Sequence, residues 1–299
     1  MRGRAIALYC LLTYGIAWAM QFAALRATGG DLESDAAGPW LATTMFVPGL
    51  VTILFLVFHK PARAGLLWKP TWRMIPMLVA GVAVPTLIAF AVLAVVEVMG
   101  WGQSGWFGFG ADGVRVAGGP WMLGRGMQAW PLFLANVAVT GAAFAAMNGL
   151  VAIGEEFGWR AFLQGHLIDR LGLGRGVVLL GLIWSFWHLP SLLAGYNYPE
   201  TPVLGALVIF PLELVAVSVF MAWITLSARS FWPAVIAHGA GNSIQEGVIA
   251  NLKMDTPRLC EDLTTLAVTV LVALACWAWM ARPRWSGRAA LATRGGSSA

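Results

Sequence analysis

Charge is scarce in this chain: Asp, Glu, Lys and Arg make up 11% of its 299 residues. Soluble domains average about 25%, so the sequence has too few ionic groups to cover a water-facing surface. Cysteine is scarce too, with Cys10, Cys260 and Cys276 alone. They are odd in number, lack Cys-x-x-Cys spacing and lie mostly in apolar stretches, which excludes a disulfide framework and leaves three small hydrophobes. There is no internal repeat, no soluble domain and no linker long enough to divide the chain. No basic patch with interleaved aromatics occurs either. The net charge of +5 therefore does not indicate nucleic acid, because the Lys and Arg residues are dispersed between apolar segments, as in proteins oriented by a bilayer.

What the chain does have is apolar length. Hydrophobic residues reach 59%, with 16 Trp, and the mean hydropathy is +0.74. These values identify an all-α, polytopic membrane helix bundle. Apolar stretches of spanning length run from Ala5 to Leu25, Trp40 to Phe58, Ile75 to Met99, Pro131 to Ile153 and beyond, Val177 to Leu193, Val203 to Leu226, Phe231 to Ala250 and Leu263 to Ala281. About eight transmembrane helices are expected. The first resembles a signal peptide in its Arg2/Arg4 flank, but it is long enough to span and no small-residue cleavage site follows. Residues 1–281 form one transmembrane domain, with a catalytic core over about 131–251. Residues 282–299, basic and then rich in Gly and Ser, are expected to be a disordered tail.

Orientation follows from the basic residues. One set of loops holds Arg2, Arg4, Lys60, Arg63, Lys69, Arg73, Arg170, Arg175, Arg229, Arg282, Arg284, Arg288 and Arg294. The opposite set mixes Arg26, Arg115, Arg125, Lys253 and Arg258 with Asp31, Glu33, Asp35, Asp255, Glu261 and Asp262. Both termini are thus expected in the cytoplasm. The Gly- and Trp-rich loop from Gly100 to Gln128 is expected to lie on the outer surface as packing.

Polar residues inside spans need a reason, because each costs several kcal/mol in hydrocarbon. They are Glu97, Asn136, Asn148, Glu155, Glu156, Arg160, His188, Glu213, His238, Asn242, Gln245 and Glu246. Glu156 and Arg160 are four apart, so a helix places them on one face as an ion pair. Glu155 points about 100° away and is free to meet another neighbour. His238 and Asn242 are also four apart. Counted from the basic loops at the helical rise, Glu155 lies about 20 Å deep, His188 about 18 Å, His238 about 12 Å and Asn242 about 18 Å. Three spans thus bring these groups to a similar level. The fourth helix must then continue to about Asp169, with a tilt or a kink expected near Gly149 or Gly154.

Glu155-Glu156-x-x-x-Arg160, the aromatic Trp184 before His188, and His238-x-x-x-Asn242 follow one another on successive apolar segments. This ordered triple resembles the CAAX-protease and bacteriocin-processing (CPBP, or Abi) family of intramembrane proteases over roughly Gly149 to Asn251. One departure exists, since the family usually has Phe where Trp184 stands. The resemblance implies an endopeptidase cutting near the cytoplasmic face, which in eukaryotic relatives removes the last three residues of prenylated proteins. It also implies that Glu155 activates water, that His188 orients that water or serves as a ligand, that Glu156 and Arg160 support, and that His238 and Asn242 stabilise the oxyanion. The residue types suit those roles independently. Amide hydrolysis needs a base, an activated water and donors aimed at the developing oxyanion.

His188, His238 and Glu155 also suit a catalytic zinc with one open position, yet there is no His-Glu-x-x-His helix. A metal-free glutamate mechanism uses the same residues, and both readings stay open. Each part has a plain structural account as well: a bundle ion pair, a satisfied interior histidine, interhelical hydrogen bonds. Outside the motifs, Glu213 either lines the cavity or bonds to a neighbouring helix, Glu97 snorkels to the outer interface, and Glu246 supports His238 from a distance. His59 and His166 are interfacial. Trp159, Trp184 and Trp187 pack helices. The expected partners are a peptide or protein substrate, with or without a lipid, and membrane lipid, but no nucleic acid. The Gly/Ala/Arg/Trp bias points to a GC-rich bacterial source, hence a multi-pass protein of the inner (cell) membrane. The competing classes are a small proton-coupled transporter, which predicts inverted repeats and broken helices in both halves, and a non-catalytic bacteriocin-immunity protein of the same family.

Overall fold

Apolar runs of this length satisfy their backbone in hydrocarbon only by folding into helices. The computed structural model describes residues 1, 3–32, 34–59 and 65–282, and it is accordingly a helix bundle. In chain order the helices are α1 (Gly3–Ala27), α2 (Gly38–Thr44), α3 (Val47–Phe58), α4 (Met74–Val98), α5 (Trp130–Glu156), α6 (Gln164–Leu171), α7 (Leu173–Trp187), α8 (Leu189–Leu193), α9 (Pro202–Leu204), α10 (Phe210–Ala228), α11 (Trp232–Ala240), α12 (Glu246–Ala250) and α13 (Leu259–Met280). Three π-helical stretches, Phe157–Leu163, Gly205–Ile209 and Gly241–Gln245, join α5 to α6, α9 to α10 and α11 to α12.

Among the described residues, six helical runs are long and apolar enough to cross a membrane. They are Gly3–Ala27, Gly38–Phe58, Met74–Val98, Trp130–Leu171, Pro202–Ala228 and Leu259–Met280. The fifth and seventh expected spans are also helical but shorter. Pro190 lacks an N–H and ends α7 after 15 residues, and a π stretch divides Trp232–Ala250. The tail beyond Arg282 and the basic residues Lys60 and Arg63 lie outside the described residues.

The fourth helix runs on as expected, 42 residues from Trp130 to Leu171. Its departure from α geometry falls at Phe157–Leu163, not at Gly149 or Gly154. Those two glycines serve packing instead. A Cβ on Gly154 would lie 2.6 Å from the Met45 carbonyl oxygen, and one on Gly239 would lie 2.2 Å from that of Ala145. The missing side chains let α2–α3 and α11 lie directly against α5, which is how helices associate where hydrophobic drive is absent.

The loop from Gly100 to Gln128 folds more than its composition suggested. Strands β2 (Phe107–Phe109), β3 (Gly113–Val116) and β4 (Gly126–Ala129) form an antiparallel meander, while β1 (Gly102–Ser104) pairs with β5 (Leu252–Met254). Two residues expected to be intramembrane fasten this cap. Asn136 accepts from Leu123 N–H at 2.9 Å and donates to the Gly124 carbonyl at 3.0 Å, and Glu97 accepts from Ser104 N–H at 3.0 Å.

Candidate active site facing an internal cavity

The site begins at the end of α5, where two adjacent glutamates enter different surroundings. Glu156 is fully buried, and its Oε1 accepts from Arg160 Nη1 at 3.0 Å and from His238 Nδ1 at 2.8 Å. Arg160, equally buried, also donates to Ser218 Oγ at 3.4 Å and lies 4.0 Å over the Trp184 ring. The four-residue spacing of Glu156 and Arg160 therefore does produce an ion pair. Its burial makes it expensive to break, about 3–5 kcal/mol, since either partner alone is an uncompensated charge.

Glu155 faces another way. Its Oε2 accepts from Trp184 Nε1 at 2.6 Å and from Trp159 Nε1 at 3.3 Å. Among the described residues no hydrogen bond engages Oε1. Trp159 stands one turn after Glu155, so the helix itself supplies that donor.

His188 owes its position to an interrupted helix. Pro190 cannot continue the α7 ladder, and the carbonyls freed at Phe186 and Trp187 take side-chain donors from α1. Trp18 Nε1 reaches both at 3.2 Å, and Gln21 Nε2 reaches Trp187 at 2.9 Å. Gln21 Oε1 in turn accepts from Ser191 N–H at 3.2 Å. The break is thus fully clamped. The His188 ring packs between Trp187 and Phe210, with centroids at 4.7 and 5.1 Å. Its Nδ1 lies 3.0 Å from the Trp184 carbonyl. A carbonyl only accepts, so Nδ1 carries the hydrogen, and in the neutral ring Nε2 holds the lone pair.

His238 sits on α11, pressed onto α5 by Gly239. Asn242 follows in the π stretch Gly241–Gln245. Single-turn π geometry re-aims side chains and recurs at functional sites; here two of the three described π stretches flank Glu156 and Phe210, and the third contains Asn242.

Glu155, Trp184, His188, His238 and Asn242 all line one cavity of about 600 Å³. Of the six residues singled out as catalytic, four reach that cavity, while Glu156 and Arg160 stand behind its wall. Gln245, Glu246 and Glu213 line it as well, and Glu213 accepts from the Tyr198 hydroxyl at 3.2 Å. Of the two alternatives weighed for Glu213, lining the cavity holds, and its bond goes to the loop after α8 and not to a neighbouring helix. His166 differs from expectation: it is 4% exposed and so buried in the bundle. His59 caps the end of α3.

Three contributors were missed by reading the sequence. Trp159 and Trp184, expected only to pack helices, hold Glu155. Gln21 was passed over although it is the clamp on the His188 break. The available signal for the first two was an indole one turn from Glu155 and a Trp where Phe was expected, since only Trp carries an N–H.

The zinc reading meets a geometric difficulty. Among the described residues no group of three or more His, Cys, Asp or Glu side chains is gathered closely enough to hold a metal ion, and Glu155 Oε2 is already committed to two indoles. The residues do not present a ready metal centre.

Residues 138–244 match the family model described as Type II CAAX prenyl endopeptidase Rce1-like. CAAX prenyl protease 2 of Methanococcus maripaludis is 30% identical over 101 residues, which is 32% of this chain. The match spans 37% of that relative's length. The resemblance expected over Gly149–Asn251 is borne out as far as residue 244, and the matched window holds Glu155, Glu156, Arg160, His188, His238 and Asn242.

Proposed function

We propose that this chain is an intramembrane endopeptidase of the CAAX-prenyl-protease-like type, in which Glu155 activates the water that attacks a peptide carbonyl. The observation that carries this reading is the cavity itself: a carboxylate, two imidazoles and a carboxamide from three separate helices meet on its wall. Indole donors fix Glu155 through Oε2, which leaves Oε1 to take a proton from water. His188 Nε2, with Nδ1 tied to the Trp184 carbonyl, is the lone pair beside it and orients that water. Asn242 supplies a neutral amide donor to the oxyanion. His238 has given Nδ1–H to Glu156, so it offers Nε2–H only when the ring carries both protons. Glu156 is the counter-charge for that state.

The substrate is a peptide or protein chain, with or without a lipid on cysteine, whose apolar part the aromatic wall accommodates. The test is cleavage by the purified protein in detergent of a peptide library with and without a lipidated cysteine. Wild type should cut and Glu155→Ala should not. Cleavage that persists in Glu155→Ala overturns the mechanism. The same assay after rigorous chelation decides the metal question: with no gathered ligand set, activity should persist, and its loss with recovery on adding zinc would restore the metal reading.

A further inference from the structure

The two ends of the bundle are not equivalent around the site. Between the site and the loops that carry Arg170, Arg175 and Arg229, Phe162, Leu163, Leu167, Leu180, Ile224 and Ala234 are each no more than 2% exposed, and none of these six lines the cavity. In the opposite direction the cavity continues past His188 and Asn242 to Tyr198, Pro199, Ala250, Arg258 and Asp262. These residues belong to the loop after α8, the end of α12 and the start of α13.

Charge says which end that is. Arg4, Lys69, Arg73, Arg170, Arg175, Arg229 and Arg282 belong to the closed end, with Asp169. At the other end Arg26, Arg115, Arg125, Lys253 and Arg258 are offset by Asp31, Asp35, Asp112, Glu200 and Asp255. A Lys/Arg excess marks the cytoplasmic side. We infer that the substrate reaches Glu155 from the non-cytoplasmic face, so the substrate class is polypeptide segments displayed at the outer leaflet or beyond it. This inference rests on the protease reading for the word substrate, and it opposes the cytoplasmic approach that the family resemblance implies.

The experiment is thiol accessibility in a bacterial inner membrane. In a background with Cys10, Cys260 and Cys276 replaced, Glu246→Cys and Ala250→Cys place reporters in the cavity, and Arg175→Cys places one at the closed end. Intact spheroplasts and inverted vesicles are treated with a membrane-impermeant maleimide, with labelling after denaturation as the maximum. The thiols at 246 and 250 should react several-fold faster in spheroplasts, and the thiol at 175 only in inverted vesicles. The reversed pattern overturns the inference. So does a cavity thiol that reacts from neither face before denaturation. Peptide cleavage is scored on the cysteine-free parent in the same membranes: outside labelling with a parent that cuts nothing overturns the protease reading and leaves the route standing, whereas cleavage with labelling from the inverted face alone does the converse.

Discussion

The wall behind the site and the wall facing the cavity differ in kind, although Glu155 and Glu156 are adjacent in sequence. Behind, Glu156, Arg160, His238 Nδ1 and Ser218 form a closed ionic group, and the first two are wholly inaccessible. In front, Glu155, His188 and Asn242 border open volume. The arrangement divides labour: one carboxylate holds helices α5, α10 and α11 in register, and the other is left with an oxygen that a water can reach. Variants on the two walls should therefore fail differently.

The largest effect is expected in front. Glu155→Gln keeps an oxygen for the two indole donors but removes the base, and general base catalysis is worth about 10²–10⁴ in rate. Peptide cleavage should fall by that factor while thermal unfolding in detergent stays where it was. A matching loss of thermal stability would show that the two walls are not separable.

Behind the site the order reverses. Arg160→Met leaves Glu156 as a buried charge with only His238 beside it, and the expected loss is about 3–5 kcal/mol of stability. Adding Glu156→Gln should recover part of that loss, because the pair is then replaced and not broken. Differential scanning fluorimetry of the single and double variants reads both. If the double variant is no more stable than the single, the ion pair is not what fastens this wall.

A smaller effect tests how the walls are brought together. A methyl on Gly239 would meet the Ala145 carbonyl, and overpacking of this sort costs about 1–3 kcal/mol. Gly239→Ala should lower stability by that amount and also reduce turnover, since α11 must move off α5 and take His238 from Glu156. Lost stability with turnover unchanged would dissociate the helix contact from the site.

How much of this was legible follows from where the information lies. The spans, the long fourth helix and the Glu156–Arg160 pair were readable because apolar length and i,i+4 spacing are local properties. Matched depth also placed Glu155, His188, His238 and Asn242 together, since the helical rise turns residue counts into heights. The π stretch at Phe157–Leu163 was not readable, and the irregularity was assigned to Gly149 or Gly154, because glycine signals flexibility and close contact equally well. The β meander escaped because its strands are only three or four residues long and its pairing is non-local. Gln21 escaped because its partners, Trp187 and Ser191, lie 166 and 170 residues away.

The finest distinction lies within the front wall, between the two indoles on Glu155 Oε2. The bond from Trp184 is 2.6 Å and that from Trp159 is 3.3 Å, so the first is the stronger restraint on the carboxylate. Trp184→Phe and Trp159→Phe remove the same atoms, and both leave an aromatic ring in a buried site, so their packing losses should be comparable. Their difference reports the hydrogen bond together with the weaker stacking of Arg160 on a Phe ring at 184. A net bond contributes about 0.5–1.5 kcal/mol, and one to a charged group about 1.5–3 kcal/mol. Trp184→Phe should thus lower kcat more than Trp159→Phe by a further factor of about ten, with KM alike in both. A kcat unchanged from wild type in both variants would mean that neither indole positions Glu155. In that case a Phe at the position of Trp184 would serve as well, and the restraint on the Glu155 carboxylate would have to come from the helix alone.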